Sequence, residues 1–97
     1  MIKDNPKQKW LELGRVVATP GALQALEEVG QLPDDFLILH QNGNWGIVCD
    51  EDKALNDEAL NQGMRILSVY RLRNGTKIWV ITEWDRSATT LLLPDEY

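Results

Sequence analysis

The chain has 97 residues, 43% of them hydrophobic, and its 15 acidic side chains outnumber the 10 basic ones. This length and composition predict a single globular domain with an ordinary core. Cys49 is the single cysteine, which excludes an intrachain disulfide, and no Cys/His spacing typical of a metal site occurs. We therefore expect no metal, no cofactor and a cytoplasmic location, and the lack of a long apolar run predicts no contact with a membrane.

Residues 1–9 are polar and charged, and we expect them to form a flexible segment before one domain that spans residues 10–97. Apolar and polar side chains alternate from Leu11 to Thr19, which predicts the first strand, and Gly14 within it indicates a bulge or a close approach of backbone. Thr19-Pro20 then has the character of a helix N-cap followed by proline at the first helical position. Gly30 is typical of the end of that helix.

Two further helices are predicted before the middle of the chain gives way to strands. The second begins at Pro33 and ends before Asn42, although its apolar centre is also compatible with a buried strand. The third has Asp50 as its N-cap and Gly63 as its stop. Acidic residues in the first turn of each helix complement the helix dipole.

Asn74-Gly75 predicts a hairpin, because a two-residue type I′ turn needs positive φ at both central positions. Such a turn pairs Tyr70 with Trp79, and by extension Val69 with Val80 and Ile66 with Glu83. A last strand is expected around Leu91–Leu93. The predicted order is β-α-α-α-β-β-β, a single α+β domain with helices packed on one face of a small, mostly antiparallel sheet.

Charge is unevenly distributed along the chain. Residues 19–63 hold nine acidic side chains against the single basic Lys53, whereas residues 64–86 hold five basic against two acidic ones. Repulsion from phosphate makes the acidic helical half a poor surface for nucleic acid. Direct nucleic-acid binding is therefore not expected, and a route through the basic hairpin side chains is the weakest hypothesis (Arg65, Arg71, Arg73 and Lys77).

The corner after the predicted hairpin gathers polar side chains within a short span, and these are the first candidates for binding a ligand or partner (Glu83, Asp85, Arg86, Ser87 and Thr89, with Thr90). Such a group either fixes a tight connection or presents donors and a guanidinium to an anion. A structural turn is the alternative because Asp and Ser satisfy turn backbone.

Trp45 lies in a glycine-flanked loop, where it is either a seal over the core or an exposed anchor for a partner. The acidic face of the third helix is a further candidate surface (Asp50, Glu51, Asp52, Asp57 and Glu58). Asp50–Asp52 fits a capped helix start better than a calcium loop, since the glycine and closing glutamate of such a loop are missing. His40 and Cys49 have no catalytic partner at a typical spacing, so we expect a helix-end cap at His40 and no catalytic residue.

The runs Trp79–Thr90 and Leu92–Tyr97 resemble the C-terminus of a group of small bacterial proteins, and Leu13–Leu23 and Asn44–Gly46 resemble the same group. Its members are carried on plasmids and other mobile elements, and some are labelled type I restriction subunits. The group has no catalytic motif to transfer to this chain. The resemblance implies an accessory or anti-defence factor of a mobile element.

We therefore hypothesise a non-enzymatic module that binds a protein partner. An acidic face can occupy a nucleic-acid channel by presenting carboxylates in place of phosphates. The alternative hypothesis is a small ligand-binding protein or enzyme that uses the corner Glu83–Thr90. The sequence leaves the oligomeric state open.

Overall fold

The computed structural model describes residues 11–97, so the segment expected to be flexible lies outside the described residues. The elements follow the predicted order, and the fold is α+β with three helices and a four-stranded mixed sheet. They are β1 (Arg15–Ala18), α1 (Pro20–Val29), α2 (Pro33–Gln41), α3 (Asp50–Gln62), β2 (Ile66–Arg71), β3 (Lys77–Thr82) and β4 (Ala88–Leu92), followed by a 3₁₀ turn over Pro94–Glu96.

The sheet has the order β1-β4-β3-β2. The three C-terminal strands form an antiparallel meander, and β1 pairs in parallel with β4 at the far edge. Alternate residues of β2 and β3 point toward the helices and are fully buried, as Ile66, Ile78 and Val80 show. Leu26 of α1 and Phe36 of α2 pack with Ile78 and Val80 in one core, and Ile66 packs with Trp45 in a second cluster under α3. Burial of each such side chain contributes about 1.5–3 kcal/mol to folding.

The helix ends lie close to where the sequence predicts them. Thr19 Oγ1 accepts a hydrogen bond of 3.1 Å from the backbone N–H of Ala22, which confirms the first N-cap. Segment 33–41 is a helix, so the strand alternative for it is wrong. The N-cap of α3 is Cys49, one residue before the predicted Asp50, and Gly63 ends the helix as expected.

The predicted hairpin register is wrong by one residue. The connection is a three-residue loop, because Gly75 N–H donates to Leu72 O over 2.9 Å and Leu72 N–H donates to Thr76 O over 2.7 Å. Gly75 has φ +90°, which is typical of a type I turn followed by a bulge. The observed register pairs Tyr70 with Ile78 and Val69 with Trp79. A one-residue slip moves side chains to the other face, so Trp79 lies opposite the helices instead of beside Tyr70 in the core.

The C-terminus folds back over the face that carries Trp79. The rings of Trp79 and Tyr97 have centroids 5.6 Å apart, and Arg65 Nη1 donates to Tyr97 Oη over 2.7 Å. The carboxylate of Glu96 accepts from Thr19 Oγ1 over 2.5 Å and from the backbone N–H of Leu93 over 2.8 Å. Thr19 and that N–H lower the pKa of Glu96. The tail is thereby attached to the N-terminus of α1.

Candidate functional site

Within the corner Glu83–Thr90, residues 83–87 form a tight connection between β3 and β4, and Thr89 and Thr90 lie in β4 itself. Arg86 N–H donates to Glu83 O and Glu83 N–H donates to Ala88 O, both over 3.0 Å. Asp85 Oδ1 accepts from the backbone N–H of Ser87 over 3.1 Å, and hydrogen bonds from Ser87 lower the pKa of this carboxyl. The Asp85 carboxylate thus accepts a hydrogen bond from the backbone of the turn in which it lies. Trp84, which precedes Asp85, is 65% exposed.

Arg86 holds three parts of the chain together through backbone carbonyls. Its Nη2 donates to Ala59 O over 2.9 Å, and its Nη1 donates to Met64 O over 2.7 Å and to Glu83 O over 3.1 Å. Ala59 lies in the last turn of α3, where a positive charge complements the helix dipole. Of the two alternatives for this corner, the fixed connection is therefore the one observed at Arg86, because the donors of its guanidinium are directed into the fold and not toward an anion.

We expect Arg86→Lys to lower the free energy of unfolding by about 2 kcal/mol, because one ammonium cannot reach three carbonyls that a planar guanidinium bridges. Urea unfolding monitored by circular dichroism measures the change. Arg71→Lys is the control: Arg71 is exposed on β2, and its replacement is expected to change stability by less than about 0.5 kcal/mol. Equal stability of both variants would show that the carbonyl contacts contribute nothing.

Thr89, the last candidate of the corner, is fully buried in a polar network that joins α2 to the sheet. Thr89 Oγ1 donates to Leu13 O over 2.8 Å and lies 2.7 Å from Thr82 Oγ1. Thr82 Oγ1 lies 2.8 Å from His40 Nε2, and His40 Nδ1 lies 2.6 Å from Ser68 Oγ. The network is closed, so Thr89 does not present its hydroxyl to a ligand.

The Leu13 carbonyl fixes the direction of the hydrogen bonds from Thr89 to His40 Nε2. A carbonyl only accepts, so the single Thr89 proton goes to Leu13 O, and Thr82 must donate to Thr89. His40 Nε2–H then donates to Thr82. The lowered pKa of the buried ring makes it neutral at pH 7, so Nδ1 carries no proton and accepts from Ser68. Burial, assisted by the charge of Arg86, lowers the pKa of His40 to about 4.

His40 is thus not the helix-end cap that its position suggests. A signal for its burial was present in the sequence, because His40 follows Phe36 and Leu37 by four and three residues and so shares their face of α2. Its partners Ser68 and Thr82 are 28 and 42 residues away, and no local pattern connects them.

Trp45 is 3% exposed, so of its two predicted roles the seal over the core is confirmed and the exposed anchor is wrong. Its ring lies edge-on to His40 with centroids 5.7 Å apart, and its Nε1–H donates to Asp57 Oδ1 over 2.9 Å. Asp57, assigned to the acidic face, therefore also fixes Trp45. Tyr70 Oη donates to Asn44 O over 2.6 Å and holds the loop before Trp45 in place.

The rest of the acidic face is exposed along α3, and a groove of about 280 Å³ runs beside it, between α3 and the start of β2. Leu55 and Met64 in this groove are 58% and 51% exposed. Asp52 and Glu58 lie at its rim, together with Arg65. The remaining lining residues are Val48, Asn56, Ala59 and Leu67. The groove combines an apolar floor with a mainly negative rim.

Asn56, for which the sequence predicts no role, lines this groove on the side of β2. Its side chain donates to Leu67 O over 2.8 Å and accepts from Leu67 N–H over 3.4 Å, so it occupies the outer edge of β2. Its spacing of three residues from Ala59 and four from Leu60 places it on the buried stripe of α3, which is the signal that could have identified it.

Two of the four basic hairpin side chains are engaged within the fold. Arg65 contacts Tyr97, and Arg73 Nη1 donates to Val29 O over 3.1 Å. Within residues 11–97 no three His, Cys, Asp or Glu side chains converge as a metal ion requires. None of the helices in the same range is long and apolar enough to cross a membrane. Comparison with protein-family models, with curated proteins and with solved structures finds no significant match.

Proposed function

We propose that the chain is a non-enzymatic protein-binding module, an accessory or anti-defence factor of a mobile element, whose partner binds the groove between α3 and β2. The groove itself is the observation that carries this proposal. It places exposed Leu55 and Met64 beside the carboxylates of Asp52 and Glu58. The mobile-element setting rests on the sequence resemblance alone.

The composition of the groove defines the class of partner. Apolar contacts at the centre of an interface supply most of its affinity, and charges at the rim supply orientation and speed of association. A segment with apolar anchors between lysines or arginines is complementary to this surface. A basic channel that binds nucleic acid is one such surface by its charge, which is how the groove would serve the proposed anti-defence role.

The corner Glu83–Thr90 does not support the alternative of a ligand site. Arg86 donates to three carbonyls, Asp85 accepts from Ser87, and Thr89 is buried. A catalytic or anion-binding group must face a cavity with free donors or acceptors, and these side chains are used within the fold.

The test compares two charge-neutralised variants in affinity capture from host lysate at low and high salt. We expect Asp52→Asn with Glu58→Gln to weaken capture of a specific protein about tenfold, because two rim carboxylates are lost. The matched control is Glu27→Gln with Glu28→Gln on α1, which removes the same charge elsewhere and leaves capture unchanged. Equal loss in both variants, or no captured protein, contradicts the proposal.

A further inference from the structure

One edge of the sheet is free within residues 11–97. Arg15 N–H donates to Ser87 O over 2.9 Å and Thr19 N–H donates to Leu91 O over 3.0 Å, so the odd-numbered residues of β1 face β4. Strand geometry then directs the N–H and C=O groups of Val16 and Ala18 away from the sheet. These four groups make no hydrogen bond to any residue from 11 to 97.

The opposite edge is covered by the chain itself. Val69 N–H donates to Trp45 O over 3.0 Å, and Ile47 N–H donates to Val69 O over 2.7 Å. The side chain of Asn56 satisfies both backbone groups of Leu67. Among the strands within residues 11–97, β1 is therefore the edge open to extension, since Leu67 and Val69 on β2 are already paired. A sheet extended at one edge forms a closed pair instead of a filament.

We propose that β1 pairs with β1 of a second copy of this chain in an antiparallel, two-fold symmetric arrangement. Centring the symmetry axis on Val17 places Val16 opposite Ala18 of the second copy, so all four free backbone groups of each strand are paired. Arg15 then faces Thr19 of the second copy, and no like charges are opposed. The result is a continuous eight-stranded sheet, and this interface is separate from the groove of the proposed function.

Exposed apolar side chains lie beside β1, and this supports the proposal that a second copy covers the edge. Val16, Val17 and Ile38 are 44%, 41% and 56% exposed. A hollow of about 310 Å³ between β1 and α2 is lined by Leu13, Val16, Leu37 and Ile38, with Asp34 and Gln41 at its ends. A strand added beside β1 lies about 4.8 Å away and places its own Val16 and Ala18 side chains over this hollow.

The first test is sedimentation equilibrium of the full chain. We expect a dimer for the wild type and for Val17→Thr, which keeps a neutral β-branched side chain. We expect Val17→Lys to raise the dimer dissociation constant at least tenfold, because it opposes two ammonium groups across the axis. Circular dichroism verifies that the variants are folded. A monomeric wild type at submillimolar concentration overturns the proposal.

Disulfide trapping tests the register independently of the lysine variant. In a Cys49→Ser background, Val17→Cys places two thiols in a directly opposed pair, and we expect rapid oxidation to a covalent dimer. Leu55→Cys is the control, since Leu55 is 58% exposed and lies on α3 beside β2, at the opposite edge of the sheet. Crosslinking at Leu55→Cys as fast as at Val17→Cys, or none at Val17→Cys, shows that the strands do not pair in this way.

Discussion

Replacing His40 by alanine is expected to lower the free energy of unfolding by about 4 kcal/mol. The substitution removes a fully buried ring that joins Ser68 on β2 to Thr82 on β3. Ser68 loses the acceptor of its hydroxyl proton, and the edge of Trp45 loses its neighbour. Urea unfolding at neutral pH measures the loss, and His40→Gln, which can both donate and accept, is expected to lose less than half as much.

The stability of the wild type is also expected to depend on pH through His40. The pKa of His40 is lowered from 6.5 to about 4 in the folded state, so the unfolded chain takes up a proton that the folded chain does not. The stability from neutral His40 is present above pH 6.5 and is lost as the pH falls toward 4. The wild type is expected to lose about 2 kcal/mol between about pH 7 and about pH 5.

His40→Gln lacks the single histidine of the chain, so its stability is expected to change much less over this interval. The two exposed carboxyls with lowered pKa, Asp85 and Glu96, have ordinary values of 3.8 and 4.5, and their contributions are lost only at lower pH. Unfolding of both proteins at the two pH values therefore isolates His40. An equal slope for the wild type and His40→Gln would place the pH dependence on another group.

The helix boundaries were predictable because their causes are local. Thr19-Pro20 fixes the start of α1 with a side chain and a ring that act within four residues, and Gly63 ends α3 through its own backbone. The hairpin register was not predictable on the same terms. Asn74-Gly75 is compatible with a two-residue turn and with the last two positions of a three-residue loop, and the choice depends on which face of β3 the core requires.

The candidate site likewise has a part that the sequence predicts and a part that it does not. The acidic side chains of α3 could be placed on the surface from their number and spacing alone. The roles of Arg86 and Trp45 could not, because their partners Ala59, Met64 and Asp57 are defined only when α3 packs against the sheet. A guanidinium in a turn is equally suited to carbonyls of its own chain and to an anion, and the sequence does not distinguish the two.

Replacing Gly46 by alanine is expected to lower the free energy of unfolding by more than about 4 kcal/mol. Gly46 has φ +81°, and a Cβ built there would lie 1.9 Å from Val69 O and 2.8 Å from Tyr70 Cδ1. The same carbonyl accepts from Ile47, so the clash cannot be relieved without moving residues 45–47 away from β2. Thermal and urea unfolding measure the effect.

Gly75→Ala is the matched control, because it separates the cost of backbone conformation from the cost of the clash. Gly75 has φ +90° and nothing within 4 Å of its added Cβ, so its replacement is expected to cost about 1 kcal/mol. Similar losses at both positions would show that positive φ alone accounts for the effect at Gly46.

Gly46→Ala is also expected to change the assembly state of the protein, which unfolding experiments do not measure. Residues 45–47 occupy the outer edge of β2 through Val69, and displacing them leaves that edge free. A sheet with two free edges can extend without closing. Gly46→Ala is therefore expected to form assemblies larger than a dimer under conditions where it remains partly folded. Gly75→Ala, which leaves both edges unchanged, is expected to retain the wild-type assembly state, and light scattering of the two variants distinguishes these outcomes.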